Sequence, residues 1–234
     1  MHQELVPFAP FQAGWYSFDL GQYRPCDSTY CFYSYESLPP ISNASETLNW
    51  LGPLDGDTDR RMEAHRNDPE ARGNLTAISA SAQRLGLTLP ASFLRLMGSL
   101  ELQDRIPSCT ACYFSLGDDI AACPGSDGGY IVRFLNDQQD VLLWYLYLTP
   151  HGEHCVLVSP IPLDEVASDN SAGNLTDADR QAVLQSTYIC APSFAAFAYR
   201  FWLENMLWFK LNEGDGHQRL TDEERRYLAH YGTV

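Results

Sequence analysis

The pattern of apolar positions divides the chain into helical and strand-like stretches. In the first helical stretch the apolar residues lie three or four positions apart, at Leu75, Ile78, Ala82 and Leu85. This period predicts an amphipathic helix, which Gly86 ends. A second short helix is predicted to begin at Leu89-Pro90, with the proline in its first turn, and to end at Gly98.

Strand-like apolar runs follow these helices. They are Ala111–Leu116, Tyr130–Leu135, Val141–Leu148 and Cys155–Ser159. The turns between them contain only a few residues, which permits antiparallel neighbours and excludes a parallel crossover. The third run is apolar on both of its faces, a pattern typical of a central strand that is covered on both sides. The sequence therefore predicts a meander of three to four antiparallel strands.

More helices are predicted on the C-terminal side of this sheet. Thr176 is a helix N-cap, and Thr221–Glu224 is a capping box for the last helix. Between them, Pro192–Leu211 predicts a longer helix on which Arg200 and Glu204 share a face. Helices at both ends of an antiparallel sheet indicate the α+β class, with a central meander flanked by helices.

The N-terminal part of the chain has a different pattern. Short aromatic runs between Gly, Pro and Asp residues predict the strands of a hairpin. The polar stretch 54–73 is predicted to be a loop or an exposed helix, and it is the best candidate for a boundary. We therefore divide the chain into residues 1–74, an aromatic, turn-rich extension packing on the core, and residues 75–234, an α+β domain.

Composition limits the possible functions. The chain has 234 residues, of which 45% are hydrophobic, enough for one domain with a sizeable core. No long uncharged apolar run and no secretory start is present, so we expect a cytoplasmic protein. Thirty acidic residues against fifteen basic ones give a net charge of −15. Such a negative field predicts that the protein binds a basic protein and binds neither nucleic acid nor a membrane. The alternative is that the charge only keeps the protein soluble.

The cysteines raise the question of metal or thiol chemistry. Cys109 and Cys112 have a spacing that could bind zinc, with His151, His154 and Cys155 to complete the ligands. In a strand, however, positions 109 and 112 point to opposite faces. Free thiols, buried or partly buried, are therefore the favoured interpretation, and we predict neither a metal nor a cofactor.

Other local patterns do not add a catalytic site. Cys26 and Cys31 could face each other across a hairpin, but the expected cytoplasmic location favours two core thiols. Gly125–Gly129 lacks the lysine and hydroxyl residue of a phosphate loop and predicts a hairpin turn. We find no hydrolase elbow, zinc-protease helix, dinucleotide fingerprint or kinase motif, which favours a protein that is not an enzyme. An enzyme remains as an alternative, ranked below two kinds of protein-binding domain: a thiol- or zinc-dependent hydrolase that uses Cys109, Cys112 or His154.

Several motifs, in their order along the chain, resemble the SUKH superfamily. They are Leu85–Pro90 followed by Phe93-Leu94, then Trp144–Leu148, then Phe194–Phe197 leading to Trp202–Asn205. The resemblance spans roughly residues 75–211. It implies an α+β fold without catalysis and, in bacteria, an immunity protein that neutralises a polymorphic toxin such as a nuclease or deaminase. The alternative within the superfamily is a regulatory scaffold of the Smi/Knr type.

Candidate contact residues are the acidic side chains on the predicted meander loops. They are Asp118, Asp119, Asp127, Asp137 and Asp140. Their alternative role is that of ordinary solvated turn residues. Glu204 and Asn205 are predicted instead to cap or pair within the helix layer.

Overall fold

The computed structural model of the protein describes residues 9–54, 71–171, 175–212 and 220–232. Most of the polar stretch 54–73 lies outside these ranges. The strands are β1 (Gln12–Ser17), β2 (Cys31–Ser34), β3 (Tyr113–Phe114), β4 (Ala121–Ala122), β5 (Tyr130–Asn136), β6 (Leu143–Leu148), β7 (His154–Ser159) and β8 (Tyr188–Ala191). The helices are α1 (Ala71–Leu85), α2 (Ala91–Met97), α3 (Leu100–Gln103), α4 (Leu163–Ser171), α5 (Asp177–Ser186), α6 (Phe194–Asn212) and α7 (Asp222–Ala229).

The strands form one sheet in the order β2-β1-β8-β7-β6-β5-β3, with β4 also paired to β5. Neighbouring strands are antiparallel except β1 and β8, which are parallel. The predicted meander is confirmed, because β5, β6 and β7 are consecutive antiparallel neighbours. The predicted α+β class is confirmed as well.

Parts of the sheet differ from the sequence prediction. The predicted strand Ala111–Leu116 shortens to Tyr113–Phe114, because Ala111 has a φ of 56° and a left-handed residue cannot continue a strand. Strand β8, which we did not predict, has only four residues, too few to show a period of two.

Packed layers cover both faces of the sheet. Every residue of β6 is buried, as expected for its position at the centre. On one face Trp144 and its neighbours pack against α2 and α6, and on the other Tyr145 packs with Leu163 of α4 and Val183 of α5. A third apolar cluster joins α6 to α7 through residues such as Leu207.

The N-terminal segment contributes strands to the same sheet. Strands β1 and β2 form the predicted antiparallel hairpin, and β1 also pairs in parallel with β8. Trp15 of β1 is 2% exposed, and its ring centroid lies 5.9 Å from that of Phe197. The segment is therefore part of the core of the fold.

The helix ends follow their local sequences. Thr176 and Thr221 both form the capping boxes that the sequence predicts. Gly86, which follows α1, has a φ of 68° that suits glycine. Among the residues described, no helix has the length and apolar character needed to cross a membrane.

Candidate functional site

The outer edge of the sheet beside β5 is lined by acidic side chains. Strand β3 pairs with one end of β5 and β4 with the other, so residues 115–120 run along the middle of β5. Hydrogen bonds from Ser115 N to Phe134 O and from Gly117 N to Arg133 O fix this path. Because β5 has seven residues, the edge is about 20 Å long.

The predicted contact residues occupy different parts of this edge. Asp140 lies in the turn after β5, Asp118 and Asp119 lie between β3 and β4, and Asp127 lies in the turn before β5. All four of these side chains are exposed. We call them, together with their backbone segments at residues 113–129 and 137–141, the acidic edge.

The pKa of Asp119, in the acidic edge, lies below its ordinary value. A hydrogen bond from Ser81 and another from the backbone N–H of Ile120 lower the pKa of its carboxyl group. Arg84, on α1, lies 4.0 Å away, and both side chains are largely exposed. Asp119 therefore stays ionised well below neutral pH. Its exposed ion pair with Arg84 contributes little to the stability of the fold.

One end of the acidic edge also exposes apolar side chains. Tyr113 on β3 is 37% exposed, and Val141, next to Asp140, is 46% exposed. Burial raises the pKa of Tyr113, and the negative charge of nearby Asp140 raises it further. An aromatic ring and a valine beside acidic groups form a surface suited to a basic protein with some apolar area. Sequence alternation gave no signal for this exposure, since both residues belong to apolar runs.

Asp137, the fifth predicted contact residue, is buried and cannot contact a partner directly. Its Oδ1 accepts a hydrogen bond of 2.6 Å from the hydroxyl of Tyr30, and its Oδ2 accepts one of 2.8 Å from the N–H of Gln139. The Tyr30 hydroxyl also lies 3.4 Å from Sγ of Cys112. This buried cluster connects the N-terminal segment to the turn that presents Asp140 and Val141.

The backbone on either side of the exposed apolar pair adopts an uncommon conformation. Ala111 and Asp140 have φ angles of 56° and 55°. The left-handed region is tolerated by aspartate but is costly for alanine. Residues of this kind often occur at functional sites, where the surrounding structure holds them in place.

The candidate metal ligands do not come together. Cys109 packs at the edge of the α6–α7 cluster and Cys112 lies in the main core, so both are free thiols, one partly and one fully buried. Burial raises the pKa of both, which disfavours the thiolate that binds metals or attacks substrates. His154 is partly buried, and burial lowers its pKa. In the ranges that the structure covers, no group of three or more His, Cys, Asp or Glu side chains could hold a metal ion.

The interpretation of Cys26 and Cys31 as core thiols was wrong. They form a disulfide with a Cα–Cα distance of 5.8 Å, and both are only partly buried. The short loop between them brings them together near the surface, at the start of β2. The expected location of the protein misled this interpretation, whereas the hairpin geometry was the correct signal.

Glu204, which was predicted to cap or pair within the helix layer, is fully buried in a polar network that includes Tyr227 of α7 but also Arg24 and Trp15 outside the helices. Arg24 donates two hydrogen bonds to its carboxylate, of 2.6 Å and 2.9 Å, and Trp15 and Tyr227 donate one each. Burial raises the pKa of Glu204, but the charge and hydrogen bonds of Arg24 and the charge of Arg200 outweigh it and bring the pKa to about 2. Glu204 is therefore ionised and structural.

Asn205 is also engaged inside the protein. Its Oδ1 accepts a hydrogen bond of 2.7 Å from the N–H of Cys109, and its Nδ2 donates one to the carbonyl of Phe201. It joins α6 to the segment that precedes β3, which lies outside the helix layer in which Asn205 was predicted to cap or pair.

Among the side chains that the structure describes, the ratio of acidic to basic residues is higher on the surface than in the interior. Exposed acidic residues are Asp27, Glu36, Glu46, Glu101, Asp118, Asp119, Asp127, Asp140, Glu153, Glu165, Asp177, Asp179 and Asp222, and exposed basic residues are Arg84, Arg95, Arg180, Arg225 and Arg226. The other basic side chains that the structure describes lie inside or in partly buried ion pairs. Arg24 and Arg200 are buried, and Lys210 pairs with Glu224 at 2.7 Å.

Comparisons with known proteins identified no relative. No family model, no curated protein and no solved structure matches the chain.

Proposed function

We propose that this chain is a non-catalytic domain that binds a basic protein through the acidic edge. The observation that supports this proposal is the distribution of charge, with thirteen exposed acidic side chains against five exposed basic ones in the described ranges. A surface of this kind attracts a cationic partner over distances of about a Debye length, roughly 8 Å at physiological salt.

The acidic edge is the surface that best fits such a partner. Four exposed carboxylates extend along about 20 Å of this edge. Tyr113 and Val141 add apolar area at one end, where desolvation on binding stabilises a complex most. Asp137 and Tyr30 would act as positioning residues, because they hold the turn beneath this area.

The biological role we propose is that of an immunity protein. The resemblance to the SUKH superfamily and the acidic surface both favour a basic toxin, such as a nuclease or deaminase, as the partner. A toxin of this class needs a cationic face to bind nucleic acid, and an acidic protein could cover that face. A regulatory scaffold of the Smi/Knr type would use the same surface to bind a different basic protein.

Co-expression with the protein encoded by the neighbouring gene, combined with binding kinetics, tests this function. We expect rescue of growth, and an association rate that falls steeply as salt rises while dissociation changes less. Reversing Asp118, Asp119 and Asp140 to lysine should slow association, and Tyr113→Ala should speed dissociation. Asp137 is excluded from the reversals because its carboxylate is buried.

Matched variants on another surface provide the control. Two exposed acids serve for this purpose: Glu36, which follows β2 at the opposite edge of the sheet from β3, and Asp222, at the start of α7. Replacing these two acids by lysine changes the charge by the same amount per residue and should leave the association rate nearly unchanged. The immunity role would be rejected if growth is not rescued and no complex forms at micromolar concentrations in low salt. If the lysine reversals instead cause self-association without affecting binding, the acids only protect a sheet edge.

A further inference from the structure

A groove runs between residues 39–42 and helix α7. Its volume is about 500 Å³, which lies within the range of about 300–1,000 Å³ that small-molecule sites occupy. Pro39, Pro40 and Ile41 form one wall, and Leu203 of α6 contributes a further apolar surface. Arg226 and His230, one turn apart on the other wall, give the rim a polar side.

Hydrogen bonds at both ends of the groove link its two walls and fix the distance between them. At one end, the carbonyl oxygen of Ser37 accepts a bond of 3.2 Å from Nε2 of His230. At the other end, Asn43 donates a bond of 2.7 Å to Glu223. Between these contacts, Pro39 O accepts a bond of 2.9 Å from buried Arg200, which fixes the proline wall to α6. The groove is therefore preformed, which reduces the entropic cost of binding a ligand.

The charged groups of the groove leave one cation available. Both carboxylate oxygens of Glu223 accept hydrogen bonds, one from Tyr199 and one from Asn43. The guanidinium of Arg226 is exposed and makes no ion pair with any residue in the part of the chain that the structure describes. On the neighbouring position of the same helix, Arg225 lies 3.6 Å from Asp222. Arg226 is thus the group at this rim that is free to bind an anion.

We propose that this groove binds a small organic acid, whose apolar chain lies against Pro39, Ile41 and Leu203 and whose carboxylate pairs with Arg226. Guanidinium and carboxylate match in geometry and can form two parallel hydrogen bonds. The apolar wall gives affinity to the chain in proportion to the area it covers. This site shares no residue with the acidic edge, so the proposal does not depend on the proposed protein partner.

Calorimetric titration of the full chain with octanoate and with 1-octanol separates the two parts of this recognition. Octanoate should bind saturably, and Arg226→Gln should weaken its binding about tenfold, because a hydrogen-bonded charge is lost. The same change should leave 1-octanol binding unaltered, since the alcohol has no charge. Arg225→Gln is the matched control and should change neither, although it removes the same charge from the same helix.

A second variant tests the apolar wall without removing charge. Ala229 is exposed on the rim of the groove, and Ala229→Trp should narrow it and weaken both ligands. An unchanged thermal unfolding midpoint would show that this variant still folds. The proposal is overturned if wild-type protein shows no saturable binding of octanoate at about 1 mM, or if Arg225→Gln weakens it as much as Arg226→Gln. Binding of a short apolar peptide acid in place of octanoate would also overturn it, since the occupant would then be a chain terminus.

Discussion

Two regions of this protein place carboxylates in opposite surroundings. In the interior the carboxylate of Glu204 is buried and paired with arginine, whereas along the acidic edge beside β5 the carboxylates are exposed to solvent. Glu204 is 0% exposed and is matched by two arginines and several neutral donors. The four aspartates of the acidic edge are exposed, and among the side chains that the structure describes only Asp119 has an ion-pair partner, Arg84 at 4.0 Å. The comparison shows that the interior uses positive charge to neutralise buried acid, which leaves the surface with the acidic excess.

The two regions should respond differently to the loss of an arginine. Arg24→Met leaves the buried carboxylate of Glu204 without its main partner, and breaking a buried pair in this way costs about 3–5 kcal/mol of the free energy of unfolding. Urea unfolding measures this loss. Arg225→Met, an exposed arginine with an acidic neighbour at 3.6 Å, is the control and should change stability by less than about 0.5 kcal/mol. Equal effects of the two changes would contradict the contrast between the regions.

Lowering the pH should reduce the stability of the protein through the buried carboxylate of Glu204. Its pKa is about 2 in the folded protein and 4.5 in the reference state, so the unfolded chain takes up the proton first as pH falls. The stability contributed by its ionised form, about 3 kcal/mol, is therefore complete above about pH 4.5 and is lost as pH falls toward 2.

Unfolding curves of wild type and Glu204→Gln over this pH range isolate that contribution. The difference in unfolding free energy between them should be largest near neutral pH and should shrink as the pH falls from 4.5 toward 2. Glu101→Gln, which removes an exposed acid paired with Arg105, is the control and should change the free energy of unfolding only slightly. A constant gap for Glu204→Gln would mean that the pKa of its carboxyl group is the same in the folded and the unfolded protein.

The turn after β5 contains both a buried carboxylate, that of Asp137, and an exposed one, that of Asp140. Tyr30→Phe removes the hydroxyl that bonds the buried carboxylate of Asp137 at 2.6 Å, and we expect a loss of about 1–3 kcal/mol in stability. Tyr188→Phe is the matched control, since its hydroxyl bonds the carbonyl of Gln185 at the surface. If both replacements have equally small effects, Asp137 does not need Tyr30 to stay buried.

Sequence reasoning predicted what depends on neighbours along the chain and missed what depends on distant contacts. The meander and the capping boxes at Thr176 and Thr221 follow from local period and cap residues, and they are present. The pairing of Arg24 with Glu204 joins residues 180 positions apart, and no local pattern could indicate it.

The same distinction applies to the candidate site. The sequence identified the aspartates of the meander loops, because turns between strands are commonly acidic and solvated. It could not separate buried Asp137 from exposed Asp140, since their difference depends on Tyr30, more than a hundred residues away. The exposure of Tyr113 depends on β3 being at the edge of the sheet, which only the pairing of all strands determines.

The smallest effect concerns the backbone beside Tyr113. At a φ of 56°, Ala111 pays a steric cost of about 1–2 kcal/mol that glycine avoids, while glycine loses about 0.4–1 kcal/mol through the entropy of the unfolded chain. Ala111→Gly should therefore stabilise the fold by up to about 1 kcal/mol. Ala80→Gly, at an exposed site in α1, should instead destabilise it by a similar amount, because glycine disfavours helices. Chemical unfolding measures both signs, and a destabilising Ala111→Gly would show that the surroundings of Tyr113 need the alanine methyl group more than they need relief from strain.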